Sequence, residues 1–196
     1  VQLIYNYKDS HVYLVNEGLF AGDVVATVKV YDDASALLDE ETKTVATSYR
    51  NTADVFDLTK FGGKPHFVAL EIKDAEGNFV ADNFYCIAAQ RNVYDFEEST
   101  WYDSPITSYS DLRFAFAQPE ASISMNVSYV DGVYTVEVTN NSQYISYMNI
   151  LKVKDAEGNL VTPAYWSDNF FPLLPGQTKT VTCKVAKAGL TVELDA

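Results

Sequence analysis

Apolar residues fall on alternate positions along most of the chain, and a period of two is the mark of β-strands with one buried face. Leu3, Tyr5 and Tyr7 set a first strand and Val12 and Leu14 a second, with the turn formers Lys8-Asp9-Ser10 between them. Val24, Ala26, Val28 and Val30 line one face of a third, while Thr27 and Lys29 point the other way. Asp39-Glu40-Glu41-Thr42-Lys43 reads as a solvated hairpin region, and Phe61-Gly62-Gly63-Lys64-Pro65 as a loop. Strands are predicted from Ala53 to Leu58, from Phe67 to Ile72 and from Phe79 to Ile87. The pattern then starts again. Ile123, Met125, Val127 and Tyr129 alternate with polar residues, turn at Asp131-Gly132, and return as Tyr134, Val136 and Val138. After a turn at Asn140-Asn141-Ser142, strands are predicted from Ile145 to Val153, from Thr178 to Val185 and from Leu190 to Leu194, with a turn at Leu173-Leu174-Pro175-Gly176.

One hexapeptide occurs twice, as Lys73-Asp74-Ala75-Glu76-Gly77-Asn78 and as Lys154-Asp155-Ala156-Glu157-Gly158-Asn159. Each copy follows an apolar alternation (Leu70 and Ile72, Leu151 and Val153), so each predicts a hairpin whose glycine supplies a positive φ. Downstream, both copies have aromatics beside an Asp-Asn pair, Asp82-Asn83-Phe84-Tyr85 and Tyr165-Trp166-Ser167-Asp168-Asn169-Phe170. The recurrence predicts two related β domains in tandem. Strand spacing makes the chain all-β, with two tandem immunoglobulin-like β-sandwich domains. The expected boundaries are 1–97 for the first sandwich and 98–196 for a connector plus the second. The connector, Asn92 to Pro119, is too aromatic for a flexible linker and is expected to pack along the domains, with a helical turn between Asp111 and Phe116.

At 196 residues the chain has room for two such domains, and 47% hydrophobic content excludes disorder. A net charge of −13 argues against nucleic acid or an anionic membrane surface as partner. No apolar run approaches the roughly 20 residues of a membrane span, so no membrane insertion is expected. The chain opens Val1-Gln2-Leu3 with neither an initiator Met nor a basic leader, as an excised piece of something longer would. Cys86 and Cys183 fall in different domains; two buried thiols are the simpler reading, and the compartment is left undecided.

Chemistry-bearing motifs are sparse. His11 and His66 have no Cys or His at ligand spacing, so no metal is expected, and neither adjoins a serine in a manner that suggests a catalytic base. Phosphate loops and the G-x-S-x-G elbow are missing, which leaves no cofactor to predict. Glu40-Glu41 and Glu97-Glu98 are adjacent carboxylates, and neighbours on a strand point to opposite faces; solvated charge is the stronger reading. Asp74/Glu76 and Asp155/Glu157 invite a calcium reading, but ordinary turn chemistry accounts for them. Asn126-Val127-Ser128 and Asn140-Asn141-Ser142 match the glycosylation sequon, without consequence in a bacterial protein. The candidate site residues are therefore aromatic: Trp101, Tyr102, Tyr165 and Trp166, as sugar-stacking rings or as seals between domains.

Longer stretches carry a resemblance. Tyr165-Trp166-Ser167-Asp168-Asn169-Phe170-Phe171-Pro172-Leu173-Leu174-Pro175-Gly176-Gln177 resembles the C-terminal segment of glycoside hydrolase family 2 enzymes, in the exo-β-D-glucosaminidase and β-mannosidase branch. The opening, Val1-Gln2-Leu3-Ile4-Tyr5-Asn6-Tyr7 then Val12-Tyr13-Leu14-Val15-Asn16, resembles the region just after that family's catalytic barrel. Asn83-Phe84-Tyr85-Cys86 is similar to its Asn-x-Tyr-Trp, with Cys86 in place of Trp, and Trp101-Tyr102 to Leu112 resembles the segment joining its fourth and fifth domains. The likeness covers nearly the whole chain. It implies non-catalytic accessory sandwiches from the C-terminus of a secreted carbohydrate-degrading enzyme, periplasmic or extracellular, with that enzyme's catalytic barrel as partner. The family's catalytic glutamates lie in the barrel, so no position here inherits them, and the chain alone is expected not to be an enzyme. The alternative is an independent carbohydrate-binding or adhesion module, with carbohydrate as partner.

Overall fold

The computed structural model describes residues 1–195 and divides them into two compact units, Val1–Ala115 and a second from Phe116 onward. The first contains nine strands: β1 Gln2–Asn6, β2 His11–Asn16, β3 Gly22–Asp32, β4 Leu37–Thr47, β5 Asn51–Asp57, β6 His66–Asp74, β7 Phe79–Ile87, β8 Val93–Tyr94 and β9 Ile106–Ser108. The second contains β10 Ile123–Val130, β11 Val133–Asn140, β12 Ser146–Lys154, β13 Tyr165–Trp166, β14 Phe171–Leu173, β15 Thr178–Lys184 and β16 Thr191–Asp195. The all-β, immunoglobulin-like architecture expected from the alternation is what the chain adopts.

In the first unit an antiparallel sheet in the order β1-β2-β5 faces one in the order β4-β3-β6-β7. The inward rows are the alternating residues of the sequence: Leu3 and Tyr5, Val12 and Leu14, Val24 to Val30 at every second position, and Val68, Leu70 and Ile72. Alternation fails in β5. The β2–β5 register shifts between Val12 and Tyr13, so neighbouring Val55 and Phe56 both turn inward at a bulge. Asp39 to Lys43, expected as a hairpin, instead lies inside the 11-residue edge strand β4. Its charges point into water along an edge that would otherwise invite pairing with another chain. Lys43 also lays its stem over the Phe56 ring and donates from Nζ to the Val55 carbonyl at 2.7 Å.

The connector up to Ala115 groups with the first unit. The β8–β9 ribbon leads to a 3-10 turn at Arg113–Phe116, and the Phe114 ring lies 5.0 Å from Phe67 on the outer face of the four-stranded sheet. By contact, then, residues 98–115 lie with the first unit, where the sequence boundary at 97/98 assigns them to the second.

In the second unit the sheets run β10-β11-β15-β13 and β14-β12-β16. Topology matches β10, β11, β12, β14, β15 and β16 to β1 through β6 in turn. One side chain proves the match. Asn16, ending β2, donates from Nδ2 to the carbonyls of Phe20 (2.8 Å) and Ser48 (2.9 Å) and accepts from the Gly18 N–H (3.0 Å). Asn140, ending β11, donates to Tyr144 (2.7 Å) and Leu173 (3.0 Å) and accepts from the Ser142 N–H (3.0 Å). Both are buried, and both tie the end of an inner strand to the next loop and to the opposite sheet.

The hexapeptides are not equivalent in that sense. The first joins β6 to β7; the second follows β12, the counterpart of β3. Both close alike, with Asp74 and Asp155 accepting from the N–H groups two and four residues on and with Gly77 and Gly158 at φ 87° and 83°. After the first turn the chain pairs along β7. After the second, pairing ends at Leu160 and Val161, because Pro163 has no N–H to continue the ladder, and the chain crosses to β13 in the other sheet.

Replacing Asn140 with Ala should strand two carbonyls and lower the unfolding free energy by about 1–3 kcal/mol. Asn141→Ala, at the exposed neighbouring position, should stay within about 0.5 kcal/mol. Urea midpoints of the two variants check this, and equal midpoints would remove Asn140 from its structural role.

Candidate functional site

The four aromatic candidates fall in two places. Trp101 and Tyr102 occupy the tip of the loop between β8 and β9, where the Thr100 N–H donates to the Asp103 carbonyl (2.8 Å) across a four-residue turn. Asp95 holds the base of that loop. Its N–H donates to the Pro105 carbonyl (2.8 Å), and its carboxylate accepts from the N–H groups of Glu97 and Glu98. Ser99 donates to the Asp95 carbonyl and to Ser104 Oγ, and Asn92 Oδ1 accepts from the Ser110 N–H. On this braced loop the Trp101 and Tyr102 rings meet edge to face at 5.1 Å and are 94% and 74% exposed.

Tyr165 and Trp166 lie in the second unit on β13, opposite Lys184 and Cys183. Tyr165 faces solvent, whereas Trp166 is half-buried and packs on the second core. Polar residues of that motif are committed to architecture. The Ser167 N–H donates to the Thr182 carbonyl (2.8 Å), and Ser167 Oγ accepts from the Thr182 N–H (2.9 Å). Asp168 pairs with Lys179 at 2.6 Å. Asn169 stands in for a strand partner: it accepts from the Leu151 N–H (2.8 Å) and donates to the Leu151 carbonyl (3.0 Å). Asn83 of the other resembling motif does similar work, donating to the Leu3 carbonyl at 2.7 Å.

The paired carboxylates form no acid/base dyad. Glu40 pairs with Lys29 and Glu41 with Lys43, while Glu97 and Glu98 are exposed on the connector loop. In the hexapeptide turns the hydrogen bond from Asn78 lowers the pKa of Asp74, and the Asn159 N–H does the same for Asp155, so both carboxylates are engaged by their own loops. Among the described residues no cluster of His, Cys, Asp or Glu is arranged to hold a metal ion. Cys86 and Cys183 form no disulfide, and burial raises the pKa of the Cys183 thiol.

One polar group was not legible in sequence. His11 on β2 meets Asp54 on β5, Nδ1 to Oδ2 at 2.8 Å, and its Nε2 lies 3.6 Å from Asp57. Residues 43 apart in the chain become neighbours only through the register of two strands. The Asp54 hydrogen bond raises the His11 pKa. His66 is its opposite: it is buried, its Nδ1 bonds the Lys64 carbonyl at 2.9 Å, and its Nε2 has no hydrogen-bond partner among the described residues. Burial lowers its pKa.

These features define a class: tandem immunoglobulin-like sandwiches whose polar groups mainly serve the fold, with one aromatic loop turned outward. Residues 101–195 match the exo-β-D-glucosaminidase Ig-fold domain. An exo-β-D-glucosaminidase of Arthroderma benhamiae is 28% identical over 182 residues, covering 88% of this chain and 20% of the relative. One from Streptomyces avermitilis is 26% identical over 199 residues, covering 95% and 22%. The chain thus spans about a fifth of the length of the relatives it matches. The fold is shared with the exo-chitosanase CsxA of Amycolatopsis orientalis (TM-score 0.85, 23% identity, 98% of this chain and 25% of that one). It is also shared with a β-D-mannosidase from Dictyoglomus thermophilum (TM-score 0.64, 14% identity, 98% and 21%).

The two histidines give opposite pH dependences. For His66, with a folded pKa below the ordinary 6.5, stability is full above 6.5 and is lost as pH falls through the folded value. His66→Phe should flatten that acid-side loss. For His11, with a raised folded pKa, the added stability is full below 6.5 and is lost as pH rises through the folded value. Asp54→Asn should remove it. Unfolding free energies from about pH 8 to about pH 5 test both signs, and a profile unchanged by either substitution would refute the assignment.

Proposed function

We propose that the chain is the C-terminal accessory portion of a secreted exo-β-D-glucosaminidase of the family 2 type, and that it buttresses a catalytic barrel carried by the same parent chain. The observation that carries this reading is the match of residues 101–195 to the Ig-fold domain of those enzymes, from a chain spanning about a fifth of its relatives. Two further points support it. The candidate carboxylates are paired with lysines or solvated on a loop, and the resembling motifs spend their polar atoms on the fold.

In this role the chain works by position. Rigid sandwiches hold neighbouring loops of the parent in place, and small displacements of such loops lower catalysis from a distance. The parent's substrate is proposed to be β-linked glucosamine, as the relatives' names indicate. The structure favours no second enzyme reading.

Incubated alone with an aryl β-D-glucosaminide, the chain should show no turnover. Activity that survived repurification and fell when a single carboxylate was substituted would overturn the proposal. A reading frame without a barrel-coding region upstream would overturn it independently.

A further inference from the structure

The connector loop combines three properties that nothing in the architecture requires. First, Trp101 is 94% exposed, although burying a ring of its size would remove far more apolar surface from water than most residues offer. Second, the loop is braced at its base and at its tip by the hydrogen bonds of Asp95, Ser99 and Thr100, so the rings are presented by an ordered support. Third, the loop is acidic without compensation: Asp95, Glu97, Glu98 and Asp103 lie within nine residues, and no Lys or Arg occurs between Arg91 and Arg113. At the other aromatic candidate the acid is neutralised, Asp168 by Lys179 beside Tyr165 and Phe170.

We propose that this loop is a binding platform for a cationic amino-sugar chain, an oligomer of β-linked glucosamine, with Trp101 and Tyr102 stacked on sugar faces and the carboxylates of Glu97, Glu98 and Asp103 drawing the ammonium groups. Charge complementarity selects this occupant. Unacetylated amino groups are protonated in mildly acidic solution, where each sugar offers an apolar face to a ring and a cation to the ring quadrupole and the carboxylates. An acidic polysaccharide would be repelled, and a second copy would bring another net −13 against the same loop. The inference rests on the parentage proposed above only in choosing glucosamine as the sugar.

The test is titration calorimetry of the whole chain with glucosamine oligomers and with N-acetylglucosamine oligomers of equal length, at low and high salt. Glucosamine oligomers should bind, weaken as salt screens the carboxylates, and lose about tenfold in affinity with Trp101→Ala. The doubly neutralised variant Glu97→Gln with Glu98→Gln should weaken them too, while the acetylated oligomers should bind far less. Unfolding midpoints should stay put, since these side chains are exposed, so lost binding cannot be ascribed to lost folding. No measurable binding, equal affinity for both oligomers, or affinity indifferent to Trp101→Ala would each overturn the proposal. So would Trp101→Ala weakening association with a separately expressed catalytic region while sugar affinity stays unchanged, because the loop would then be a protein contact. A chain that binds no sugar can still belong to the longer enzyme, so the two readings fail separately.

Discussion

A sandwich of two sheets buries the ends of its inner strands, and the carbonyls exposed there by a departing chain must still find donors. In this chain asparagine amides meet that need. Asn16 and Asn140 fill the same place in the two units with the same three bonds, one to each of two carbonyls and one from a loop N–H. Asn149, buried in the middle of β12, bonds the Ser146 and Phe171 carbonyls, and Asn169 supplies Leu151 with both halves of a strand partner. No other side chain of that size offers both a donor pair and an acceptor without charge, so neither leucine nor aspartate can substitute without leaving a buried group unpaired. The hydrophobic rows make each sheet stick to its partner; the asparagines fix where the chain may leave one sheet for the next.

That distinction decides what could be read from sequence. The rows were legible because alternation is a local property: Leu3, Val12, Val24 to Val30 and Val136 to Val138 all sit inward as their period requires. The hexapeptide was legible as a turn but misleading as a register mark. A turn is specified by its own Asp and Gly, so identical turns form wherever a tight reversal is needed, and here they follow β6 in one unit and β12 in the other. What identifies equivalent strands is the far end of the Asn16 and Asn140 bonds, at Ser48 and Leu173, and no spacing rule announces a partner more than 30 residues away. Edge strand β4 was missed for a related reason. Its charged residues look like loop until a neighbour supplies the ladder, after which exposure on an edge makes charge an advantage.

The candidate site was legible by residue type and not by placement. Trp101, Tyr102, Tyr165 and Trp166 are alike as letters. Only tertiary structure separates Trp166, half-buried on the second core, from Trp101 on an exposed turn. His11 and Asp54 give no signal at all until β2 and β5 pair. The missed asparagines did leave a trace. Asn149 interrupts an otherwise strand-forming run, and a poor strand former retained in a core strand implies work for its side chain.

Charge separates the two kinds of surface on this molecule. On the sheets, acids are answered locally: Glu40 by Lys29, Asp39 by Lys60, Glu71 by Lys73, and the turn aspartates by their own backbone N–H groups. Such pairs add little stability apiece at an exposed surface. Between Arg91 and Arg113 the connector has no basic residue, and the acids Glu97, Glu98 and Asp103 coincide with the most exposed rings in the chain. A neutral aromatic patch would favour indiscriminate association. Surrounding it with unpaired carboxylates repels anionic surfaces and other copies, and leaves cationic groups with an apolar face as the partners that gain from both features at once.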